Sequence, residues 1–284
     1  MTTVTIAPVD AGCVIHPALR LAERVLHECS TIPGPDQWVT SYGDYQSGGW
    51  QTLSLINATG DPADVTISGN TAPVRISLLQ RMPATTALLD ELGLDVWWAR
   101  LAMMQPDSYL WEHRDYTEPG IANHEQYRLH LPLITSKAAY FVTAGHALHM
   151  TADGLWRINP TTAHGAVNLS GPPRLHLILD CRDSPVLDQF RAAEVLPQTS
   201  LRPLPPATPE ELDQAARDAV DPSSKPSDFG QDRPLELWII QTKTTPGFTE
   251  TGIDKLENSI RRLLDLSQPL DTLGVLYNEL RTTS

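Results

Sequence analysis

Short strand-like runs separated by turns fill the chain from about residue 96 to residue 180, and this segment constrains the fold most strongly. Runs of alternating or apolar sequence at such close spacing are typical of an all-β sandwich or jelly roll. The predicted strands are 96–104, 109–112, 127–134, 139–142, 147–150, 155–158, 165–168 and 174–180. No helical periodicity interrupts them, which argues against a fold of alternating strands and helices.

Helical segments are predicted on both sides of this β region. Residues 15–29 carry apolar side chains at helical spacing, residues 84–95 form a second short helix that ends near Gly93, and two amphipathic helices follow near the C-terminus. A Pro-, Ser- and Asp-rich stretch precedes those last helices. We therefore predict a helical segment at 1–37, a β domain at 38–184, a linker or extended wrap at 185–234 and a small helical appendage at 235–284.

The charge and the cysteine content exclude several classes of protein. The formal net charge is −13, and no cluster of Lys and Arg is present that could neutralise phosphates. We therefore expect no nucleic-acid or anionic membrane partner. The N-terminus shows no signal peptide, no apolar run reaches the roughly 20 residues of a membrane span, and the 3 cysteines lack a C-x-x-C spacing. These features predict a cytoplasmic protein with reduced thiols.

One predicted strand ends in a potential metal-binding pair. His113 and Asp115 are two residues apart, so on a strand they belong to the same side, and His164 precedes a later strand. Two imidazoles and one carboxylate form the facial triad of non-haem Fe(II) sites, which leaves open positions for chemistry. Taken alone, His-x-Asp is a common pattern, and a surface histidine that lies near an aspartate by chance is the alternative.

Arginine and histidine alternate with leucine on two of the predicted strands. Arg128 and His130 lie opposite the leucines of strand 127–134, and Arg174 and His176 lie opposite those of strand 174–180. If this face lines a barrel interior, its cations need an anionic partner, and arginine can bind a carboxylate through two parallel hydrogen bonds. A solvent-exposed face with hydrated charges explains the alternation equally well, and the sequence leaves both readings open.

Taken together and in order, these motifs resemble the aspartyl/asparaginyl β-hydroxylase family, and within it the bacterial free-proline hydroxylases in particular. The resemblance covers about residues 38–182. The matching motifs are Ser41-Tyr42-Gly43-Asp44-Tyr45, Gly49-Trp50, His113-Arg114-Asp115-Tyr116, Arg128-Leu129-His130-Leu131, His149-Met150, Gly154-Leu155-Trp156, His164-Gly165-Ala166-Val167-Asn168 and Arg174-Leu175-His176-Leu177.

The resemblance implies a double-stranded β-helix, a jelly roll that holds iron, and a dioxygenase that uses Fe(II), 2-oxoglutarate and O₂. His113, Asp115 and His164 would be the catalytic iron ligands. Arg174 would bind the distal carboxylate of 2-oxoglutarate, and Arg128 and His130 would line the co-substrate pocket. The animal aspartyl hydroxylases have glycine in place of the acidic ligand, so Asp115 makes this chain similar to the bacterial branch and argues against a halogenase.

The expected reaction is hydroxylation of an unactivated C–H bond of an amino acid, free or within a peptide, with release of succinate and CO₂. Proline and aspartate or asparagine are the leading substrate classes, and a homodimer is left open. Two alternatives remain at this point. One is a non-enzymatic jelly-roll sensor that binds metal or a small molecule, and the other is an interaction module with His113 and Asp115 on its surface.

Overall fold

The structure is a computed structural model. It describes residues 9–41, 49–66, 72–106, 108–113, 115, 127–143, 146–160, 164–197 and 200–203, except for the side chains of residues 109, 111–113, 202 and 203. The predicted C-terminal appendage at 235–284 and most of the predicted linker lie outside these residues. The domain boundaries therefore stay a prediction.

Strands dominate the described residues, with helices at either end. The strands are β1 (Ala11–Val14), β2 (Trp50–Asn57), β3 (Val74–Arg75), β4 (Val96–Met104), β5 (Ser108–His113), β6 (Tyr127–Ile134), β7 (Ala139–Thr143), β8 (His146–Leu148), β9 (Leu155–Ile158), β10 (His164–Asn168), β11 (Arg174–Cys181) and β12 (Leu201–Pro203). The helices are α1 (Ala22–Thr31), α2 (Pro83–Leu92) and α3 (Pro185–Ala193), with 3-10 turns at Pro17–Leu21, Pro35–Gln37 and Ser77–Arg81.

Two antiparallel sheets form the framework, and the chain crosses repeatedly from one sheet to the other. The 7-stranded sheet has the order β1-β9-β6-β11-β4-β2-β3, and the 5-stranded sheet has the order β12-β8-β7-β10-β5. Along the chain, β4, β6, β9 and β11 belong to the large sheet, whereas β5, β7, β8 and β10 belong to the small one. This interleaving of eight strands is the jelly-roll arrangement, so the predicted fold class is confirmed.

The two N-terminal helices cover the outer face of the large sheet. Leu129 of β6 and Leu177 of β11 belong to the same buried cluster as Val25 of α1 and Leu88 of α2. Each leucine buried in this way contributes roughly 1.5–3 kcal/mol to folding. Helix α2 ends at Gly93, whose φ of 63° is the left-handed conformation that the predicted C-terminal cap requires.

A buried carboxylate joins the two helices. The Glu28 carboxylate of α1 accepts hydrogen bonds of 2.8 Å from the backbone N–H of Ala84, the backbone N–H of Thr85 and the Thr85 hydroxyl. These N–H groups belong to the first turn of α2, where no partner within the helix is available. Glu28 therefore fixes the position of α2 against α1, outside the barrel.

The segment after residue 184 contains a helix, α3, and a short strand, β12. The Ser184 hydroxyl accepts a 3.2 Å hydrogen bond from the Leu187 N–H and so caps α3, and β12 pairs with β8. The sequence analysis predicted neither element, because the stretch is rich in proline. Strand β12 is also short and depends on its pairing with β8. Within the described part of the chain, no helix is both long enough and apolar enough to span a membrane.

Candidate active site

A pocket lies between the two sheets, with an empty volume of about 440 Å³ that includes its open mouth. Both sheets contribute to its wall. The lining residues are Trp50, Arg100, Leu110, Asp115, Arg128, His130, Phe141, Ile158, His164, Gly165, Ala166, Arg174 and Ile178. Five of the six residues that the sequence predicted for the site are therefore brought together here. The sixth, His113, ends β5, and its side chain lies outside the described part.

His164 is held at the start of β10 by both neighbouring strands. It is paired with His113 of β5 and with Thr143 of β7, and the β5 register shifts between His164 and Ala166. Such irregularities often redirect a side chain next to an active site. The imidazole is buried and stacks on the Phe141 ring, with 5.4 Å between centroids. Phe141 thus fixes the ring plane of His164 at the pocket wall.

Asp115 lies just beyond the end of β5. Its backbone N–H donates a 2.9 Å hydrogen bond to the carbonyl of Pro160, which precedes β10. Its carboxylate accepts a hydrogen bond from the Arg128 guanidinium of β6. Among the side chains that the structure describes, no cluster of three His, Cys, Asp or Glu is present. Because the His113 side chain is not among them, the three-ligand iron site stays a prediction.

Arg174 is a buried cation that has no carboxylate partner among the described residues. The side chain is only 2% exposed, its Nη2 donates to Nδ1 of His176 at 3.0 Å, and its Nη1 has no hydrogen-bond partner among the described residues. Burial lowers the pKa of Arg174 to about 9. The guanidinium is therefore still charged at neutral pH, and a buried charge of this kind is costly unless it is paired.

Two buried histidines surround this arginine. The Nδ1 atoms of His130 and His176 are 3.3 Å apart, and both Nε2 atoms lack a partner among the described residues. Burial, reinforced by the nearby Arg174, lowers the pKa of both imidazoles well below the usual value. Both rings are therefore neutral at neutral pH. His130 lines the pocket, whereas His176 contacts Arg174 and is not among the lining residues.

These positions decide between the two readings of the alternating strands. Arg128, His130, Arg174 and His176 are between 1% and 4% exposed, so the solvent-face reading is wrong. The leucines of β6 and β11 face the N-terminal helices, and the charged residues between them face the interior of the barrel.

The two buried histidines predict a pH dependence of stability. An unfolded histidine has a pKa near 6.5, whereas both folded imidazoles titrate well below it. The unfolded chain therefore binds more protons below about pH 6.5, so the free energy of unfolding falls as the pH is lowered, by up to about 1.4 kcal/mol per pH unit for each group. We expect His176→Asn, whose amide oxygen can still accept from Arg174, to have a shallower slope between pH 6.5 and 5 in urea unfolding. An identical slope in variant and wild type would contradict a neutral, buried His176.

Sequence reasoning missed a buried ion cluster next to the predicted residues. Asp180 Oδ2 accepts from Arg100 Nη1 at 2.7 Å, and Asp180 Oδ1 accepts from Arg128 Nε at 2.7 Å. The guanidinium carbon of Arg100 also lies 3.7 Å from the centroid of the Trp98 ring. Two features of the sequence could have indicated this cluster. Arg100 lies in the middle of the otherwise apolar strand β4, and Asp180 lies on the same face of its strand as Arg174.

The aromatic residues of the matching motifs differ in where they lie. Trp50, which belongs to one of the matching motifs, lines the pocket. Trp156 is fully buried and donates to the Thr151 carbonyl at 2.9 Å, so it belongs to the core. Tyr42, Tyr45 and Tyr116 lie outside the described residues.

Comparisons with known proteins connect this pocket to an enzyme family. The chain is 26% identical to L-proline cis-4-hydroxylase of Rhizobium meliloti (strain 1021), over 72% of this chain and 67% of that enzyme. It is 24% identical to L-proline cis-3-hydroxylase 1 of a Streptomyces species, over 60% of this chain and 58% of that enzyme. The second alignment thus spans less than two thirds of its relative's length.

Solved structures resemble the chain more distantly. A Pseudomonas putida prolyl-4-hydroxylase is 16% identical, with a TM-score of 0.39, and the match covers 61% of this chain and 91% of that one.

The family model described as aspartyl/asparaginyl β-hydroxylase matches residues 22–184, which is more than half of the chain and contains every predicted site residue. The predicted family is therefore confirmed: the chain belongs to the aspartyl/asparaginyl β-hydroxylases.

Proposed function

We propose that this protein is an Fe(II)- and 2-oxoglutarate-dependent dioxygenase that hydroxylates an unactivated C–H bond of an amino acid and releases succinate and CO₂. One observation carries the proposal. The buried guanidinium of Arg174, which has no counter-ion among the residues that the structure describes, lines the same pocket as Asp115 and His164. A cation in this setting fits a carboxylate-bearing co-substrate next to a metal site.

The donor set fits iron. His113, Asp115 and His164 would hold the metal, since neutral imidazole and carboxylate are suitable ligands for Fe(II). Positions paired directly across antiparallel strands belong to the same face of the sheet, and His164 is paired with His113. When bound, iron with 2-oxoglutarate supplies the oxidising power for the reaction. The protein provides the binding, the orientation and a shielded site.

The charges of the pocket agree with a dianionic co-substrate. Arg100, Arg128 and Arg174 bring three guanidinium groups to the wall, and the described carboxylates in contact with them belong to Asp115 and Asp180. Arg174 would hold the distal carboxylate of 2-oxoglutarate, with His130 beside it. The apolar part of the wall, including Leu110 and Ile178, would exclude water from the reacting atoms.

The substrate that we favour is a free amino acid with a proline-like ring. Both of these relatives are named as L-proline hydroxylases, and the pocket is an enclosed space between two sheets, as small-molecule sites generally are. An Asp- or Asn-like residue, free or within a peptide, is the second candidate.

The cysteines Cys13, Cys29 and Cys181 form no disulfide and are buried. Such thiols suit the cytoplasm that the sequence predicts, and the homodimer stays a prediction.

The test is turnover with a panel of substrates. Purified protein with Fe(II), 2-oxoglutarate, O₂ and ascorbate would be incubated with free amino acids and with short peptides that contain the same residues. We expect a product that has gained one oxygen atom by mass spectrometry, with an equal amount of succinate, for a free cyclic amino acid. Protein that binds metal and 2-oxoglutarate but forms no succinate with any substrate would instead favour the non-enzymatic sensor.

A further inference from the structure

We propose that Asp180 is a positioning residue of this site, which holds the Arg128 guanidinium in place against Asp115 and so keeps that carboxylate available to the metal. The inference rests on the proposed function, because it gives Asp115 the role of an iron ligand. It adds a residue that does not line the pocket and acts only through its arginine partners.

Asp180 is buried and is held through both of its carboxylate oxygens. The side chain is 1% exposed, on strand β11, between β6 with Arg128 and β4 with Arg100. Both carboxylate oxygens are used: Oδ1 accepts from Arg128 Nε at 2.7 Å, and Oδ2 accepts from Arg100 Nη1 at 2.7 Å and from Arg128 Nη2 at 3.3 Å. The carboxylate therefore has a single orientation, which is set by two neighbouring strands.

Arg128 transmits this orientation to the pocket. Its Nε and Nη2 hold Asp180, and its Nη1 donates to Asp115 Oδ2. Because a guanidinium is planar and rigid, fixing one edge on Asp180 also fixes the direction of the Nη1–H bond. Asp115 lies beyond the end of β5, so the strand ladder does not hold it, and the hydrogen bond from Arg128 restrains its carboxylate in addition to the backbone bond to Pro160.

Asp180 also limits how strongly Arg128 attracts Asp115. With Asp180 present, the Arg128 charge is shared between two of the described carboxylates, those of Asp115 and Asp180. Without it, Asp115 is the remaining described carboxylate in contact with Arg128, and the guanidinium can move onto both of its oxygens. An arginine that binds Asp115 through two hydrogen bonds competes directly with a metal ion for the same oxygens.

The experiment measures metal affinity rather than turnover. Mn(II), which gives an electron paramagnetic resonance signal, would be titrated into metal-free full-length protein in the presence of 2-oxoglutarate. For Asp180→Asn we expect Mn(II) binding to weaken by about 10- to 100-fold, the usual effect of removing a group that orients a metal ligand. Glu28→Gln removes another buried carboxylate, outside the barrel, and should leave the Mn(II) affinity unchanged.

A double-mutant cycle separates positioning from general damage. If Asp180 acts through Arg128, Asp180→Asn should have no further effect on Mn(II) affinity in an Arg128→Met background. The double variant loses one positive and one negative charge, so the net charge of the buried cluster is unchanged. An equal loss of Mn(II) affinity in both backgrounds would overturn the proposal.

Asp180→Glu covers the case in which Asp180→Asn alone does not fold. It keeps the charge and moves the carboxylate by one methylene group. A positioning role therefore predicts that Mn(II) affinity falls by about threefold or more, but by less than in Asp180→Asn. Variants that fold and bind Mn(II) as the wild type does would refute the role of Asp180. A wild-type protein that binds no Mn(II) would instead refute the proposed function.

Discussion

Replacing Arg174 with methionine is expected to weaken 2-oxoglutarate binding by about 100-fold or more, while the ligand-free protein keeps its stability or gains some. The two effects have one cause. The guanidinium is buried with Nη1 unpartnered among the described residues, so it costs folding free energy until an anion binds to it. Replacing a buried charge with an apolar side chain of similar volume is often neutral or stabilising, by about 1–4 kcal/mol.

The measurement is thermal and urea unfolding of metal-free protein with and without 2-oxoglutarate, together with calorimetric titration of the co-substrate. Arg157→Met is the matched control, because Arg157 is also largely buried but is paired with Glu194 at 2.8 Å and with Asp10 at 2.6 Å. This control should lose about 1–3 kcal/mol of stability, since it removes the guanidinium that pairs with the Glu194 carboxylate, and it should bind 2-oxoglutarate normally. A ligand-free Arg174→Met protein that is clearly less stable than the wild type would show that Arg174 has a counter-ion.

His164→Ala is expected to weaken Fe(II) binding by at least about 100-fold and to abolish hydroxylation. Removing a group that merely orients a ligand costs about 10- to 100-fold in metal affinity, so removing a ligand should cost more. The ring also stacks on Phe141, so the variant creates a cavity next to the pocket. We expect the same loss for His113→Ala if the two histidines share the metal.

Anaerobic calorimetric titration of Fe(II) checks this result, and His149→Ala is the control. His149 is half-buried, and its Nδ1 lies 3.2 Å from the Ala139 carbonyl, away from the residues that line the pocket. It should bind iron as the wild type does. If His164→Ala retained both iron and activity, His164 would not be a ligand.

The strands of the barrel were predictable because their signals are local. The predicted bounds 96–104, 127–134 and 155–158 coincide with β4, β6 and β9, in which apolar and polar residues alternate between two faces or the run is mostly apolar. Strands β1, β3 and β12 were missed, because they are short and depend on pairing with distant strands: β1 with β9, β3 with β2 and β12 with β8. Their residues show no pattern until that partner is present.

The sequence by itself determined the order of the chemical groups: the His-x-Asp pair, the later histidine, and arginines opposite leucines on two strands. Only the tertiary structure decided which face of those strands is the inside, because both faces of the large sheet are buried, one under α1 and α2 and the other in the pocket. It also brought together Arg100, Arg128 and Asp180, which lie on three adjacent strands far apart in the chain. Alternation along a strand tells which residues share a face, whereas the charge that balances a buried arginine comes from whichever strand the fold places beside it.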